Sequence, residues 1–496
     1  MNYQSVIKYL GVFSIASSVL YLPSIIWAFW FREASVITAF FQSVLVVLFF
    51  GCLMVVLGRR ASGRLFNRET LALVGLGWLL IAGYGALPYV FAGELSFVDA
   101  YFESMSGFTT TGATVITNIE AWPKSLLFWR SFTHWLGGLG IILLLIIVLP
   151  FLGAGGKLLY RSEVPGLDKQ GLRPRIKDSA LILFKIYTAL TLLMTLLLLC
   201  AGMNLYEGFC HSFGTLATGG FSTRNASIAA YESVVMELII IFFMLVAGTS
   251  FGLLYCLSRK EWRKVLTNAE WRLYIAVIAI SSLLITANLM GAQGGVTNAE
   301  ITGKPTPPQE FSGAVRMAVF QVVSIMTTTG YCTENFDTWP FFSRALLVAL
   351  MFVGGCSGST GGGLKVIRIL VLTKIVLHHL KRTFQPKHLR VLRIGNTIIE
   401  EELQRNVLTY FLIVMGTMLL GTVFLSGLGL PAETAFTAVA ATLNNIGPGL
   451  ELVGAVETYA FIPASGKVVL SLLMAMGRLE LYAICVLFVP AFWKRT

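Results

Sequence analysis

The stretch Phe108 to Pro123, FTTTGATVITNIEAWP, has a near copy far downstream at Met326 to Pro340, MTTTGYCTENFDTWP. Both carry Thr-Thr-Thr-Gly, then Asn, an apolar residue, two further residues and Trp-Pro (Asn118 to Pro123; Asn335 to Pro340). Two weaker copies, Thr218-Gly219-Gly220-Phe221 and Asn445-Ile446-Gly447-Pro448, also lie between long apolar segments. With Gly112, Gly219, Gly330 and Gly447 taken as equivalent, one unit recurs four times at a period of roughly 110 residues, all copies in the same direction.

Composition gives the solvent of those units. The 496 residues are 56% hydrophobic and only 12% charged, about half the charged fraction of a soluble domain. Many apolar runs approach 20 residues, so the chain is an all-α, multi-pass membrane protein. The net charge of +12 does not indicate a nucleic acid partner, because Lys and Arg fall in loops between apolar runs. The seven cysteines lie mostly inside apolar segments without CxxC spacing, which points to neither a disulfide framework nor a zinc site. The first apolar run, through Trp30, is too long for a cleaved signal and reads as a retained helix.

In chain order the expectation is two N-terminal helices (1–68), unit one (69–152), a basic loop (153–178) with Lys157, Arg161 and Lys169, unit two (179–260), unit three (261–385), a second loop (386–402) with Lys387 and Arg390, and unit four (403–496). Unit three carries a polar insert with Pro305, Pro307 and Pro308. Basic loops alternate with acid-bearing ones. If basic means cytoplasmic, both termini are inside and about ten helices cross. That parity requires that four short segments, Phe97–Phe108, Tyr206–Leu216, Ser312–Met326 and Ala432–Leu443, do not cross. Most are too short to span a bilayer and read as re-entrant half-helices. Irregular backbone at membrane depth is tolerated only inside protein or along a water-filled cavity. One such segment per unit predicts four helix–pore-helix–helix units around a pseudo-fourfold axis with one shared aqueous path. Phe102, Phe209 and Phe320 each stand ten positions before their glycine, and Phe436 eleven.

A cation leaving water needs a substitute for its hydration shell, and rings of backbone carbonyls supply one without a fixed charge. Glycine accepts backbone angles that other residues resist, and threonine adds a hydroxyl without bulk. The predicted cation filter is Thr110, Thr111 and Gly112; Ala217, Thr218 and Gly219; Thr328, Thr329 and Gly330; and Asn445, Ile446 and Gly447. The half-helices would aim their partly negative C-terminal ends at the ion.

The run GGCSGSTGGG, with Gly354, Gly355, Ser357, Gly358, Ser359, Thr360, Gly361, Gly362 and Gly363, interrupts the second helix of unit three. Each interior glycine costs a helix roughly 1 kcal/mol relative to alanine. The functional reading is an intramembrane loop below the filter acting as a gate. Close glycine packing between helices is the rival. A phosphate loop is disfavoured, since Lys365 lies between Leu364 and Val366 and the GxxxxGK[ST] pattern is absent.

The set FESMSGFTTTGATV, Gly137-Gly138, ATGGFST (Ala217 to Thr223), TTTGYC (Thr327 to Cys332), NNIGPG (Asn444 to Gly449) and MGRLEL (Met476 to Leu481) resembles the TrkH family, potassium-uptake subunits of bacterial Trk systems within the Trk/Ktr/HKT superfamily. The resemblance covers nearly the whole chain. It implies a glycine in each filter segment, the potassium ion as substrate with no organic cofactor in this chain, a homodimer surrounded by membrane lipid in the bacterial inner membrane, and a cytosolic TrkA-like nucleotide-binding regulatory subunit. It also implies that Arg478, a charge within an apolar helix, lies beneath the filter as an electrostatic barrier. A salt bridge with Glu480 is the rival, although i,i+2 residues do not share a helix face. Unlike a TVGYG channel, only the Thr-Gly core is present here, which implies a less strict preference for potassium over sodium.

Glu103, Glu207 and Glu433 either draw cations to an outer vestibule or brace the half-helices. His134 and His211 read as hydrogen-bonded structural residues rather than proton relays. The leading function is potassium uptake through a four-unit carbonyl filter. A proton- or sodium-coupled symporter is the alternative, and a multi-pass membrane enzyme lacks any cluster at metal or triad spacing.

Overall fold

A computed structural model describes residues 1–60, 66–148, 172–291, 310–385, 392–394 and 397–494. The expected basic residues Lys157, Arg161, Lys169, Lys387 and Arg390, and the insert with Pro305, Pro307 and Pro308, lie outside the described residues. Helix α1 (Tyr3–Ser17) runs through a 3-10 turn into α2 (Leu22–Trp30), and α3 (Ala34–Leu57) returns. Unit one is α4 (Asn67–Phe91), α5 (Phe97–Phe108) and α6 (Lys124–Val148). Unit two is α7 (Leu172–Cys200), α8 (Leu205–Leu216), α9 (Val234–Ala247) and α10 (Phe251–Ser258). A connecting α11 (Trp262–Thr267) leads to unit three: α12 (Ala269–Gly291), α13 (Phe311–Met326), α14 (Phe341–Met351) and α15 (Val366–Phe384). A hairpin of two-residue strands, β1 (Arg393–Ile394) and β2 (Thr397–Ile398), precedes unit four, which is α16 (Glu401–Gly427), α17 (Ala432–Leu443) and α18 (Ala464–Arg478). The short α19 (Tyr482–Cys485) and α20 (Pro490–Trp493) follow.

The short segments become the pore helices α5, α8, α13 and α17. Local chemistry starts two of them: Ser96 accepts the Asp99 N–H at 3.3 Å, and Asn204 accepts the Glu207 N–H at 2.8 Å, each satisfying a donor that the first turn leaves free. At 12 residues, α5, α8 and α17 are about 18 Å long against a hydrocarbon core of about 30 Å.

The units close into a ring because the second helix of each packs on the pore helix of the next: α6 on α8, α9 on α13, α14 on α17, and α18 back on α5. One position repeats that order in charge. Four residues after the capping Ser233, Pro340 and Pro463 stand Glu237, Arg344 and Lys467. Glu237 meets Arg316 of α13 at 3.4 Å, Arg344 meets Glu433 of α17 at 2.6 Å, and Lys467 meets Asp99 of α5 at 2.6 Å. In unit one the same position, after Pro123, is the apolar Leu127. Arg344 is buried and also bonds Glu451 at 2.9 Å, while both carboxylates are about half exposed. We expect Arg344→Met to loosen the seam between units three and four by about 1–2 kcal/mol, discounted for the exposed partners. Thermal unfolding of the detergent-solubilised protein should show it as a lower midpoint; an unchanged midpoint would mean the seam is held by apolar packing.

The N-terminal pair lies outside the ring and is tied to it. α1 and α3 cross closely, with Gly11 against the Gly51 carbonyl, and Glu33, after α2, accepts the Lys124 N–H at 2.7 Å, capping α6.

Six described helices are long and apolar enough to cross alone, or seven if the bent pair α9–α10 is one span; the sequence predicts about ten. The difference lies largely in the second helices. The interruption foreseen in unit three has counterparts that the sequence reading takes as continuous. Unit two bends by 102° between α9 and α10, and unit four breaks after Arg478, with Glu480 and Leu481 at φ 55° and 57°. The bend frees backbone groups that must find partners at membrane depth. Here Gly248 O accepts the Cys356 N–H and Gly358 O accepts the Phe251 N–H, both at 2.9 Å, so the glycine-rich segment of unit three completes the broken helix of unit two.

Candidate functional site: a ring of four glycines above a buried loop

All four pore helices end in one geometry. The second residue after the helix adopts a left-handed backbone: Thr110 (φ 53°), Thr218 (φ 55°), Thr328 (φ 60°) and Asn445 (φ 54°). The next residue returns its N–H to the carbonyl five back: Thr111 to Ser106 at 2.9 Å, Gly219 to Gly214 at 2.7 Å, Thr329 to Ser324 at 2.9 Å and Ile446 to Ala441 at 2.8 Å. This is a Schellman-like cap in which threonine or asparagine occupies the position that glycine usually takes, at a cost of about 1–2 kcal/mol per residue. The residue after that has φ 83° at Gly112, 79° at Gly220, 81° at Gly330 and 100° at Gly447.

The caps correct the register in unit two. Gly220, not Gly219, is the counterpart of Gly112, Gly330 and Gly447; Gly219 matches Thr111, Thr329 and Ile446, and Ala217 matches Thr109, Thr327 and Asn444. Phe209 therefore stands eleven positions before its glycine, as Phe436 does. Gly219 is small for a separate reason: a Cβ there would meet the His134 ring at 2.5 Å. Sequence could have signalled the shift by aligning the middle threonines, Thr110, Thr218 and Thr328, instead of the first glycine of each motif.

The glycines close a circle. A Cβ on Gly112 would lie 2.2 Å from Gly219 O, one on Gly220 2.0 Å from Thr329 O, one on Gly330 1.9 Å from Ile446 O, and one on Gly447 2.7 Å from Thr111 O. Each unit thus touches the carbonyl just before the next unit's glycine, in the order one, two, three, four, one. Gly112, Gly220, Gly330 and Gly447 together line a cavity of about 100 Å³ at the mouth of this ring. Beneath it, Gly137 of α6 and Gly477 of α18 sit where a Cβ would fall 2.0 Å from Phe108 O and 1.9 Å from Leu443 O, so those helices press directly on pore-helix ends.

The segment Gly354–Gly363 lies on the opposite side of the ring, between α14 and α15, and is largely buried. Gly362 N–H donates to Thr328 Oγ1 at 2.6 Å, and Thr360 Oγ1 lies 2.9 Å from Leu216 O. Ser357 N–H donates to Glu270 Oε1 at 2.6 Å. Arg478 is buried at the end of α18 and donates to Thr360 O at 2.6 Å and Gly137 O at 3.0 Å. Glu480 pairs with Arg368, so the salt bridge considered from sequence goes to a different arginine. Lys365 also donates to Gly361 O.

Each of the three acids is ion-paired. Glu103 is fully buried and accepts from Arg130 Nε at 2.5 Å, Glu207 pairs with Arg224 at 2.8 Å, and Glu433 with Arg344. Both histidines have both ring nitrogens occupied. His134 Nδ1 faces Gly107 O at 2.8 Å, so it carries the proton, and Nε2 accepts the Phe221 N–H at 3.3 Å. His211 Nδ1 faces Glu207 O at 2.8 Å and Nε2 faces Ser222 Oγ at 3.1 Å. His134 is thereby a neutral imidazole, and both rings are wired into the scaffold. Among the described residues no group of three His, Cys, Asp or Glu side chains is placed to hold a metal.

Four half-helices that enter, turn at glycine and leave define an integral membrane protein of four tandem units on a pseudo-fourfold axis, with two extra N-terminal helices. Residues 37–495 match the TrkH family, cation transport proteins. The chain is 36% identical over 499 residues to the Trk system potassium uptake protein TrkH of Salmonella typhimurium, with 100% of both chains covered. It is 31% identical over 481 residues to TrkG of Escherichia coli, with 96% of each covered. The crystal structure of the potassium transporter TrkH from Vibrio parahaemolyticus matches with a TM-score of 0.88 at 33% identity over 100% of both chains. The chain belongs to the TrkH family, a family of transporters and not of enzymes.

Proposed function

We propose that this protein takes up potassium across the bacterial inner membrane, and that the ion sheds its water at the glycine ring. The observation that carries the reading is the closed circle of contacts from Gly112 through Gly220, Gly330 and Gly447 back to Gly112. Such a circle supports the reading, because main-chain carbonyls of four units at the C-terminal, partly negative ends of four helices would favour a dehydrated cation. The filter residues are Thr110, Thr111 and Gly112; Thr218, Gly219 and Gly220; Thr328, Thr329 and Gly330; and Asn445, Ile446 and Gly447. Relatives that match along their whole length are named as potassium uptake proteins, which selects potassium among cations.

Gly354–Gly363 is the gate in this reading, since it is tied to Thr328 Oγ1 and Leu216 O directly beneath the ring. Arg478 holds it through Thr360 O and sets a positive charge across the ion's exit. The domain scheme proposed with it is 1–68, 69–152, 153–178, 179–260, 261–385, 386–402 and 403–496, with α7 beginning at Leu172, inside the third segment. Both termini face the cytoplasm, a TrkA-like nucleotide-binding subunit docks on that side to move the loop, and the working form is a homodimer. The membrane potential drives entry by about 2.3 kcal/mol per charge per 100 mV.

Neither histidine near the ring has a free nitrogen to relay protons, which favours passive flow over proton-coupled symport. Purified protein in liposomes, with ion and pH gradients set independently, tests this. Potassium flux should follow the potassium gradient and the voltage and ignore the pH gradient. Uphill potassium movement driven by a proton gradient would establish symport instead.

A further inference from the structure

The corrected register exposes a position that the four units use differently. Nine residues before the ring glycine stand Glu103, His211, Gln321 and Ala438. In unit one, Glu103 reaches behind the strand that leaves the ring: its carboxylate accepts the Val115 N–H at 2.9 Å and the Thr114 hydroxyl at 3.0 Å. In unit two, His211 Nε2 meets Ser222 Oγ at 3.1 Å, and Ser222 is two residues past Gly220 as Thr114 is past Gly112. In unit three, Gln321 is 1% exposed and sets a neutral amide beside the Cys332 thiol, two residues past Gly330. In unit four, Ala438 has no polar group to offer; the neighbouring Thr437 Oγ1 accepts the Leu450 N–H at 3.1 Å instead.

Glu103 has 0% exposure. A carboxylate so far from water persists only when its oxygens are satisfied, and its third partner is Arg130, whose Nε donates to it at 2.5 Å. The same guanidinium donates from Nη1 to Ser222 O at 2.9 Å and lies 3.5 Å from the Phe221 ring centroid. The Glu103–Arg130 pair therefore bridges the exit strand of unit one to that of unit two, at the mouth of the ring. Among the four positions it is the one that carries a charge-assisted brace, which is stronger and more directional than a neutral one.

We propose that Glu103 is a positioning residue for ion selection: through Thr114, Val115 and Arg130 it holds the strands of units one and two at the spacing that separates potassium from sodium. This rests on the filter reading above. The test measures uptake of both ions in cells or proteoliposomes, at matched protein abundance, for Glu103→Gln, Thr114→Val, Gln321→Ala and Gly112→Ser. Glu103→Gln keeps the shape and removes the charge that fixes Arg130, and should lower the potassium-to-sodium ratio about ten-fold. Thr114→Val removes only the hydroxyl that donates to the carboxylate and should move the ratio the same way by a smaller factor. It serves in place of Glu103→Gln if that variant does not reach the membrane. Gln321→Ala should leave the ratio unchanged. If Gly112→Ser lowers the ratio while Glu103→Gln and Thr114→Val keep it at the wild-type value, the positioning role is overturned and the filter stands. If Gly112→Ser also leaves it unchanged, both readings fall together. Equal losses from Gln321→Ala and Glu103→Gln would reduce the effect to general packing and overturn the proposal.

Discussion

Gly112→Ser is expected to lower the potassium-to-sodium uptake ratio by about ten-fold or more, which corresponds to a loss of about 1.4 kcal/mol in discrimination. Two separate costs act at this position. A serine must adopt φ near 83°, which an L-residue does at about 1–2 kcal/mol. Its Cβ would also lie 2.2 Å from Gly219 O, and that neighbour is backbone, so it cannot swing aside as a flexible side chain could. The seam between units one and two must open, and the carbonyl of Gly219 turns or withdraws. A wider or less regular set of oxygens discriminates poorly between two monovalent ions that differ chiefly in size. The measurement is paired potassium and sodium uptake at equal membrane abundance. An unchanged ratio would remove Gly112 from the filter. Gly220→Ser meets Thr329 O at 2.0 Å and should act alike. Gly93, also at positive φ but with nothing near its Cβ position, should tolerate serine with no change in selectivity.

Deleting Gly361–Gly363 should raise potassium flux that no longer responds to regulation, by about ten-fold or more. The deletion removes the Gly362 N–H bond to Thr328 Oγ1 and the Lys365 bond to Gly361 O, and it pulls Thr360 off Leu216 O and Arg478. At about 1 kcal/mol net for each such bond, losing two or more shifts a closed–open balance by one to two orders of magnitude. Arg478→Gln should act in the same direction with a smaller effect, since the loop keeps its other ties. Flux is read in proteoliposomes of the purified variants. Equal or lower flux, with normal membrane insertion, would assign the glycines to helix packing, the rival that the sequence leaves open.

How much of this is legible without coordinates depends on the range of the interaction. The Trp-Pro echo after Asn118 and Asn335 marks units one and three by local identity alone. The apolar lengths separate crossing helices from the half-helices α5, α8 and α17, because a bilayer has a set thickness. The slip between Gly219 and Gly220 has a different origin. Two adjacent glycines look alike in a string of letters, and which one joins the ring is decided by where α8 ends and by Thr218 taking the left-handed cap. Glu103 stands out as a carboxylate in an apolar run, but its partner Arg130 lies 27 positions away and nothing local pairs them. Arg478 and Glu480 invite an ionic reading by proximity. The break after α18 instead sends Glu480 to Arg368 and leaves Arg478 to backbone carbonyls of two other units.

The sequence by itself determined the solvent, the fourfold repetition, the pore helices and the family, since each follows from hydropathy, length and motif within a short window of chain. Only the tertiary structure decided the circular order of the units, the bend in unit two and the partners of the buried charges. Those depend on contacts between residues from tens to hundreds of positions apart, and a carbonyl that would lie 1.9–2.7 Å from an added Cβ admits only glycine.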